Sequence, residues 1–185
     1  MNETIKTILE RRSVRAYMSI LPPADEVQSI VECGSYAATA LGLQPWFFSV
    51  VTDRTLLDEI SAENKRIILD GEDEKAKALI DDNFDNFRGA PMAIIISGDE
   101  TVKFGEVDCA CATENMAIAA WAYGISSCYI ASFRPAMYGE KANYFSNKLE
   151  IPIGFKPYFA LSLGYAASPL PPRKEREENR IVYIK

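Results

Sequence analysis

Residues 44–51, Gln44-Pro45-Trp46-Phe47-Phe48-Ser49-Val50-Val51, lead from a loop directly into an apolar run. Aromatic and β-branched side chains in such a run favour a buried strand, and Thr52-Asp53 ends it. The segments 92–97, 126–132 and 159–165 have the same character. The sequence therefore predicts four strands.

The segments around these strands carry helical patterns. Residues 3–12 place apolar side chains at helical spacing, and a second helix is predicted from Pro22-Pro23 to about Ala38. The polar segment 54–86 is mostly helical by propensity. Residues 106–123 form an alanine-rich helix that is apolar on nearly all sides, which predicts burial or a place at a subunit interface. Helices and strands do not alternate regularly, so the pattern predicts a single α+β domain over 1–185.

The last twenty residues, 166–185, read as an extension of this domain. A proline-rich linker precedes the apolar pentapeptide Ile181-Val182-Tyr183-Ile184-Lys185. Such a strand needs a sheet edge, either its own or a partner's. Fifteen residues separate Tyr165 from Ile181, and they can span roughly 50 Å when extended. The reach and the stiffness of the linker favour pairing with a partner subunit.

Composition excludes several classes of function. The net charge of −6 disfavours nucleic-acid binding, and no segment has the length of apolar sequence that a membrane helix requires. The chain contains no histidine, which removes Ser-His-Asp and Cys-His catalysis and histidine metal sites. We therefore assign no catalytic acid or base and no metal ligand, and expect a cofactor to carry any difficult chemistry.

The four cysteines and the N-terminus bear on the compartment. The cysteines lack metal-site spacing and are interpreted as small buried hydrophobic residues in a reducing environment. The N-terminal residues resemble the start of a helix and not a signal peptide. A cytoplasmic protein is expected.

Two basic clusters contrast with the acidic composition. Arg11, Arg12 and Arg15 follow the first helix, and a second cluster at 173–176 follows the prolines. Guanidinium groups concentrated in this way suit a compact anion such as phosphate, although solvated surface runs remain an alternative. The sequence has no Gly-x-Gly-x-x-Gly fingerprint, so a Rossmann dinucleotide site is not indicated.

The order of these pieces resembles the nitroreductase-like family of flavoproteins over nearly the whole chain. The matching elements are Arg11-Arg12-Ser13-Val14-Arg15, the segment from Ala38 to Gln44-Pro45-Trp46, Phe87-x-Gly89-Ala90-Pro91, Asp108 with Asn115, Gly154-Phe155-x-Pro157, Gly164-Tyr165, and Arg173-Lys174. This chain departs from the family where Thr39, Ala40 and Gly42 replace two serines and an asparagine. It departs again where Ala131-Ser132 replaces a Gly-Gly or Glu-Gly pair.

The resemblance implies a mainly antiparallel sheet packed by helices in an intertwined homodimer that exchanges its C-terminal strands. It implies one tightly bound flavin mononucleotide (FMN) at each of the two interface sites. The residues assigned to the cofactor are Arg11, Arg12, Ser13, Arg15, Thr39, Ala40, Gly42, Gln44, Asn64, Ala131, Ser132, Arg173 and Lys174. The loop at 39–44 would act across the dimer, and segment 54–86 would form a variable lid.

The resemblance also implies an activity. NAD(P)H would bind transiently and transfer a hydride through the flavin to a small oxidised acceptor such as a nitroaromatic, a quinone or a free flavin. Two alternatives remain open on the same fold. One is a different flavin chemistry, such as reductive dehalogenation or flavin fragmentation, and the other is a flavin-binding dimer without enzymatic activity.

Overall fold

The computed structural model describes residues 1–185. Its helices are α1 (Glu3–Glu10), α2 (Ala24–Ser35), α3 (Arg54–Asp70), α4 (Glu74–Lys77), α5 (Gly105–Ala122), α6 (Arg134–Tyr138) and α7 (Ala142–Lys148). Its strands are β1 (Trp46–Val51), β2 (Met92–Asp99), β3 (Ser126–Ile130) and β4 (Phe155–Gly164). The expected α+β class is confirmed. No helix combines the length and apolar character needed to cross a membrane.

The four strands form one sheet in the order β1-β2-β4-β3, and every neighbouring pair is antiparallel. The antiparallel arrangement implied by the family resemblance is thereby confirmed. At Pro157 the register shifts by one residue, which leaves Tyr158 without a partner on β2. This bulge suits a proline in a central strand. It also frees the Tyr158 carbonyl to accept a hydrogen bond from Arg134 Nε at 2.6 Å, which anchors the start of α6.

Both faces of the sheet are covered, so the core has two layers. Along β2, Ala93 and Ile95 point to one face, where they pack with side chains of α3, α6 and α7. Ile94 and Ile96 point to the other face, against α2 and α5. Successive side chains of a strand face opposite sides, so the run Ile94-Ile95-Ile96 serves both layers. This explains why its sequence is continuously apolar.

Several predicted boundaries were wrong by a few residues. The first helix ends at Glu10 and not at 12, the second at Ser35 and not near 38, and β3 ends at Ile130, before Ala131-Ser132. Segment 54–86 is helical only in α3 and in the single turn of α4. One face of α3 is buried in the core, so only the remainder of this segment is available as a lid.

The two edges of the sheet differ. The segment 13–17 meets the start of β3, where the Val14 amide donates to the Ser127 carbonyl at 2.9 Å, and then passes the end of β4, where Tyr17 pairs with Ala166. The outer edge of β1 has no partner strand within the chain. The protein therefore presents an open sheet edge at residues 46–51.

Apolar surface remains exposed on three segments. Residues 181–185 form no strand within the chain, and Ile181 to Ile184 are between 77% and 92% exposed. On α1 the apolar stripe Ile5, Ile8 and Leu9 is about half exposed, and Val107 on α5 is exposed as well. The expectation that α5 is buried on nearly all sides is wrong for the single chain. The burial expected of all four cysteines holds for Cys109 and Cys128, whereas Cys33 and Cys111 are exposed.

Candidate functional site

The two basic clusters, far apart in sequence, meet in the structure. The chain that leaves α1 runs beside the chain that leaves β4: the Met18 amide donates to the Tyr165 carbonyl, and the Ala167 amide donates to the Ala16 carbonyl. This pairing brings Arg12 Nη2 within 2.9 Å of the Pro171 carbonyl. Arg173 Nη2 donates in return to the Arg11 carbonyl at 3.0 Å. The backbone therefore holds both clusters in one place.

Together the clusters line an open cavity of about 410 Å³, which we call the basic cradle. Its lining residues are Arg11, Arg12, Ser13, Arg15, Pro172, Arg173, Lys174 and Arg176. Six of the eight carry a positive charge and none carries a negative one. The prediction that the two clusters serve one anion is supported by this geometry, and Arg176 joins the residues assigned from the sequence.

The arginines of the cradle are not equivalent. Arg11 forms an ion pair with Glu114 of α5 at 3.0 Å, and its Nε is buried without a hydrogen-bond partner. Arg15 is exposed and forms no ion pair within the chain. The Arg11 side chain is therefore already engaged by Glu114 within the chain, whereas the Arg15 guanidinium is available to bind a ligand.

A second cavity of about 470 Å³ adjoins the cradle and shares Arg15 with it. Its lining residues are Arg15, Ala16, Tyr17, Leu79, Asp81, Asn83, Phe84, Asp85, Arg88 and Gly89. The Tyr17 hydroxyl is buried without a hydrogen-bond partner, and its burial raises the pKa of the phenol. The charged and amide groups of Arg15, Asn83 and Arg88 therefore lie beside apolar side chains in a cavity next to the basic cradle.

The turn that borders this second cavity is held by Asp85. Its carboxylate accepts hydrogen bonds from the Phe87 and Gly89 amides at 2.8 and 2.7 Å, and from Arg54 at 2.6 Å. Burial alone would raise the pKa of Asp85, but these hydrogen bonds and the Arg54 charge outweigh it and lower the pKa. The bonds hold Arg88 and Gly89 in the left-handed region, at φ values of 62° and 73°. Arg88 is thereby fixed beside the cavity.

Asn64 lies beneath the site and not on its surface. The side chain is fully buried, and its Nδ2 donates to the Ser132 carbonyl at 2.8 Å and to Asn86 Oδ1 at 3.1 Å. Ala131 and Ser132, which follow β3, are exposed. Ala131 and Ser132, which were assigned to the cofactor, are therefore accessible to a ligand. Asn64 is not accessible, and it contacts this pair through its hydrogen bond to the Ser132 carbonyl.

The loop 39–44 lies outside both cavities of its own chain. The Ala40 amide donates to the Asp108 carboxylate at 3.2 Å, and the Thr39 hydroxyl accepts a hydrogen bond from the Gln44 amide at 3.4 Å. Gly42 and Gln44 have φ values of 68° and 49°, which shape a protruding loop. The structure does not bring this loop to the arginines, so its assignment to the cofactor requires a second subunit.

Sequence reasoning missed three polar residues. Asn83 and Arg88 line the second cavity, and the side chain of Asn86 bonds to Asn64 and Ser132. A signal was present, because all three lie within the six residues before Gly89-Ala90-Pro91, which belongs to the family resemblance. The polar character of segment 54–86 concealed Asn83 and Asn86, whereas Arg88 stands within the matching element Phe87-x-Gly89 itself.

A third cavity, of about 670 Å³, opens between α3 and α7 around Glu63. The Glu63 carboxylate is almost fully buried and is bound by Arg66 at 2.7 Å and by Lys141 at 2.9 Å. These hydrogen bonds lower the pKa of Glu63 to about 2. Because Lys141 immediately precedes α7, the ion pair between Glu63 and Lys141 joins α3 to the start of α7.

Replacing Glu63 by glutamine is expected to reduce stability at neutral pH by about 1–2 kcal/mol, since two charge-assisted hydrogen bonds are lost. A carboxylate with a lowered pKa contributes its full stabilisation above its unfolded pKa of about 4.5. That stabilisation is lost as the pH falls toward 2. The difference between wild type and variant should therefore shrink between about pH 5 and pH 2. Urea unfolding followed by circular dichroism measures it, and a difference independent of pH would contradict the assignment.

Residues 8–165 match the sequence profile of the Nitroreductase family. The chain belongs to this family. Over their full lengths the chain and an FMN-bound nitroreductase from Bacteroides fragilis superpose with a TM-score of 0.93 at 30% identity. An FMN-bound nitroreductase from Desulfitobacterium hafniense gives a TM-score of 0.92 at 29% identity, again over both whole chains.

Among characterised relatives, the FMN reductase (NADPH) of Bacillus subtilis is 28% identical over 193 residues. That alignment covers 99% of this chain and 73% of the relative. The similarity to the two solved structures extends through the basic cradle, because it covers the chain from end to end.

Proposed function

We propose that this protein is an FMN-dependent oxidoreductase that uses NAD(P)H to reduce a small oxidised acceptor. The observation that carries this proposal is the basic cradle, six cations from the two ends of the chain around one cavity. The FMN-bound solved structures and the NADPH-dependent relative support it.

The residues of the site fit FMN. A terminal phosphate dianion matches the charge of the cradle, where Arg12, Arg173 and Ser13 offer donors. The adjoining second cavity offers Arg15, Asn83 and Arg88 to the polar edge of a ring. Arg15 borders both cavities, so one side chain can link the phosphate region to the ring region.

When bound, FMN supplies the redox chemistry by accepting a hydride and passing it on. The chain's part is to bind and orient. Arg15 and Arg88 line the second cavity together with Asp81 and Asp85, and the Asp85 charge is paired with Arg54. The two guanidinium groups would stabilise negative charge that develops on a ligand beside them. No side chain is proposed as a general acid or base, so protons come from solvent.

The active unit is proposed to be a homodimer in which each copy completes the other's site. The open edge of β1 and the exposed tail at 181–185 are complementary, because one lacks a strand and the other is an unpaired apolar segment. The protruding loop with Thr39, Ala40, Gly42 and Gln44 would then face the partner's cofactor. The exposed stripe on α1 would be covered by the same contact.

The acceptor class is proposed to be nitroaromatics, quinones or free flavins. The exposed part of segment 54–86, which contributes Leu79 and Phe84 to the second cavity, would form the lid that selects among them. The four free thiols support a cytoplasmic location, because reducing compartments preserve them.

The first test is binding selectivity. The apo protein should bind FMN at least about tenfold more tightly than it binds riboflavin, because only FMN offers a phosphate to the cradle. The purified protein should be yellow and should release FMN, not flavin adenine dinucleotide, on denaturation. Absorbance and chromatography of the released flavin measure both results.

A second measurement separates an enzyme from a flavin-binding protein. Under anaerobic conditions NADPH should bleach the bound flavin, and an added quinone should restore its colour. In the binding test described above, equal affinity for riboflavin and FMN would contradict the proposed role of the cradle in holding the phosphate. Retention of colour in the presence of both NADH and NADPH would instead favour the non-enzymatic alternative.

A further inference from the structure

The placement of Asn64 in α3 is unusual for its residue type. Leu57 and Ile60 lie on the buried face of this helix, and position 64 is the next on that face. At this spacing an apolar residue is expected. Asparagine is rarely fully buried unless hydrogen bonds require it. Its bonds therefore explain its presence at this position.

The hydrogen bonds of Asn64 converge on the turn that follows β3. Its Nδ2 donates to the Ser132 carbonyl and to Asn86 Oδ1, and Asn86 Oδ1 also accepts from the Ser132 hydroxyl at 3.2 Å. The backbone and side chain of Ser132 are thus both fixed from below. Asn86 is also the neighbour in sequence of Asp85, which lines the second cavity.

This arrangement is costly for stability alone. Asn64 Oδ1 and Asn86 Nδ2 are buried and have no hydrogen-bond partner, and such atoms destabilise a folded protein. An apolar pair of similar volume would avoid that cost. The retained carboxamides therefore point to a requirement at Ser132 itself.

We propose that Asn64, together with Asn86, is a positioning residue that fixes the Ala131–Ser132 turn against the cofactor. This inference rests on the proposed function. Asn64 was assigned to the cofactor directly from the sequence, whereas here it acts on the cofactor through Ser132. Asn86 belongs to the turn that lines the second cavity, so the same pair ties residues 131–132 to that cavity.

The experiment compares Asn64→Leu and Asn64→Ala, which both remove the donor, with Thr113→Val as the matched control. Thr113 is also fully buried and donates one hydrogen bond, to the Cys109 carbonyl at 2.7 Å, within α5. In the apo protein, amide hydrogen exchange at Arg134, which donates to the Ala131 carbonyl, should accelerate about tenfold in the Asn64 variants. It should not change in Thr113→Val.

With FMN saturating, the Asn64 variants should lose about ten- to a hundredfold in kcat, because small misplacements at a reacting centre are costly. KM for NADPH should stay within about twofold, and the visible bands of the bound flavin should shift. Unchanged exchange at Arg134 and unchanged kcat in both variants would overturn the inference. The wild-type FMN titration tests the proposed function separately, so failure of one is distinguishable from failure of the other.

Discussion

Replacing Arg15 by alanine is expected to weaken FMN binding by about ten- to a hundredfold, while the apo protein unfolds at nearly the wild-type temperature. The side chain borders both cavities and is exposed without an ion pair, so its loss breaks no ion pair within the chain. A charge-assisted hydrogen bond contributes about 1.5–3 kcal/mol, which converts to that loss in affinity. Fluorescence titration of apo protein with FMN measures the dissociation constant, and calorimetry measures Tm.

Two further variants make this result specific. Lys75→Ala removes an exposed cation of α4, outside both cavities, and should leave the affinity unchanged. Arg11→Ala should lower both affinity and Tm, because it also breaks the ion pair with Glu114. If Arg15→Ala binds FMN as the wild type does, the cradle does not hold the cofactor in the way proposed.

Deleting residues 181–185 is expected to convert the proposed homodimer into a monomer at micromolar concentration. Ile181, Val182, Tyr183 and Ile184 are largely exposed in the single chain, and each buried large apolar side chain contributes about 1.5–3 kcal/mol. Loss of the segment should therefore raise the dimer dissociation constant by at least about a hundredfold. Light scattering over a range of concentrations gives the mass directly.

Point variants separate loss of the strand from loss of length. Tyr183→Pro keeps the length but removes a backbone donor needed by a paired strand, and it should also weaken the dimer. Glu178→Ala, in the linker, should leave the dimer intact. A truncated protein that remains dimeric and loaded with flavin would contradict the proposed role of residues 181–185 in association.

The sequence was most informative where local pattern and burial agree. All four strands were predicted, because an apolar run such as Ile94-Ile95-Ile96 fits only an element that is covered on both faces. Helix ends were less accurate. At Ser35 and Ile130 the chain leaves its element while the residue types still permit it to continue, because contacts distant in sequence decide the boundary.

For the candidate site, charge was a reliable guide and small polar residues were not. The arginines stood out against an acidic composition, and the structure brings Arg12 and Arg173 together. Asn83 and Asn86 were missed because a polar segment gives no periodic signal to separate them from solvated neighbours, and Arg88 was missed because the element Phe87-x-Gly89 leaves its position unspecified. Burial of Asn64 was equally invisible, since it depends on where α3 meets the turn after β3.

The two reciprocal hydrogen bonds between the chain ends, from Arg12 to Pro171 and from Arg173 to Arg11, have a consequence for assembly. They fasten the linker to its own subunit before any encounter with a second one. Only seven residues then separate Arg173 from Ile181, so the free segment searches a radius of about 25 Å and not one of 50 Å. The conformational entropy of the linker residues up to Arg173 is already lost when the monomer folds, and not when two subunits associate. In the proposed homodimer this would preorganise association, because the exposed segment 181–185 would be held close to a partner that docks beside it.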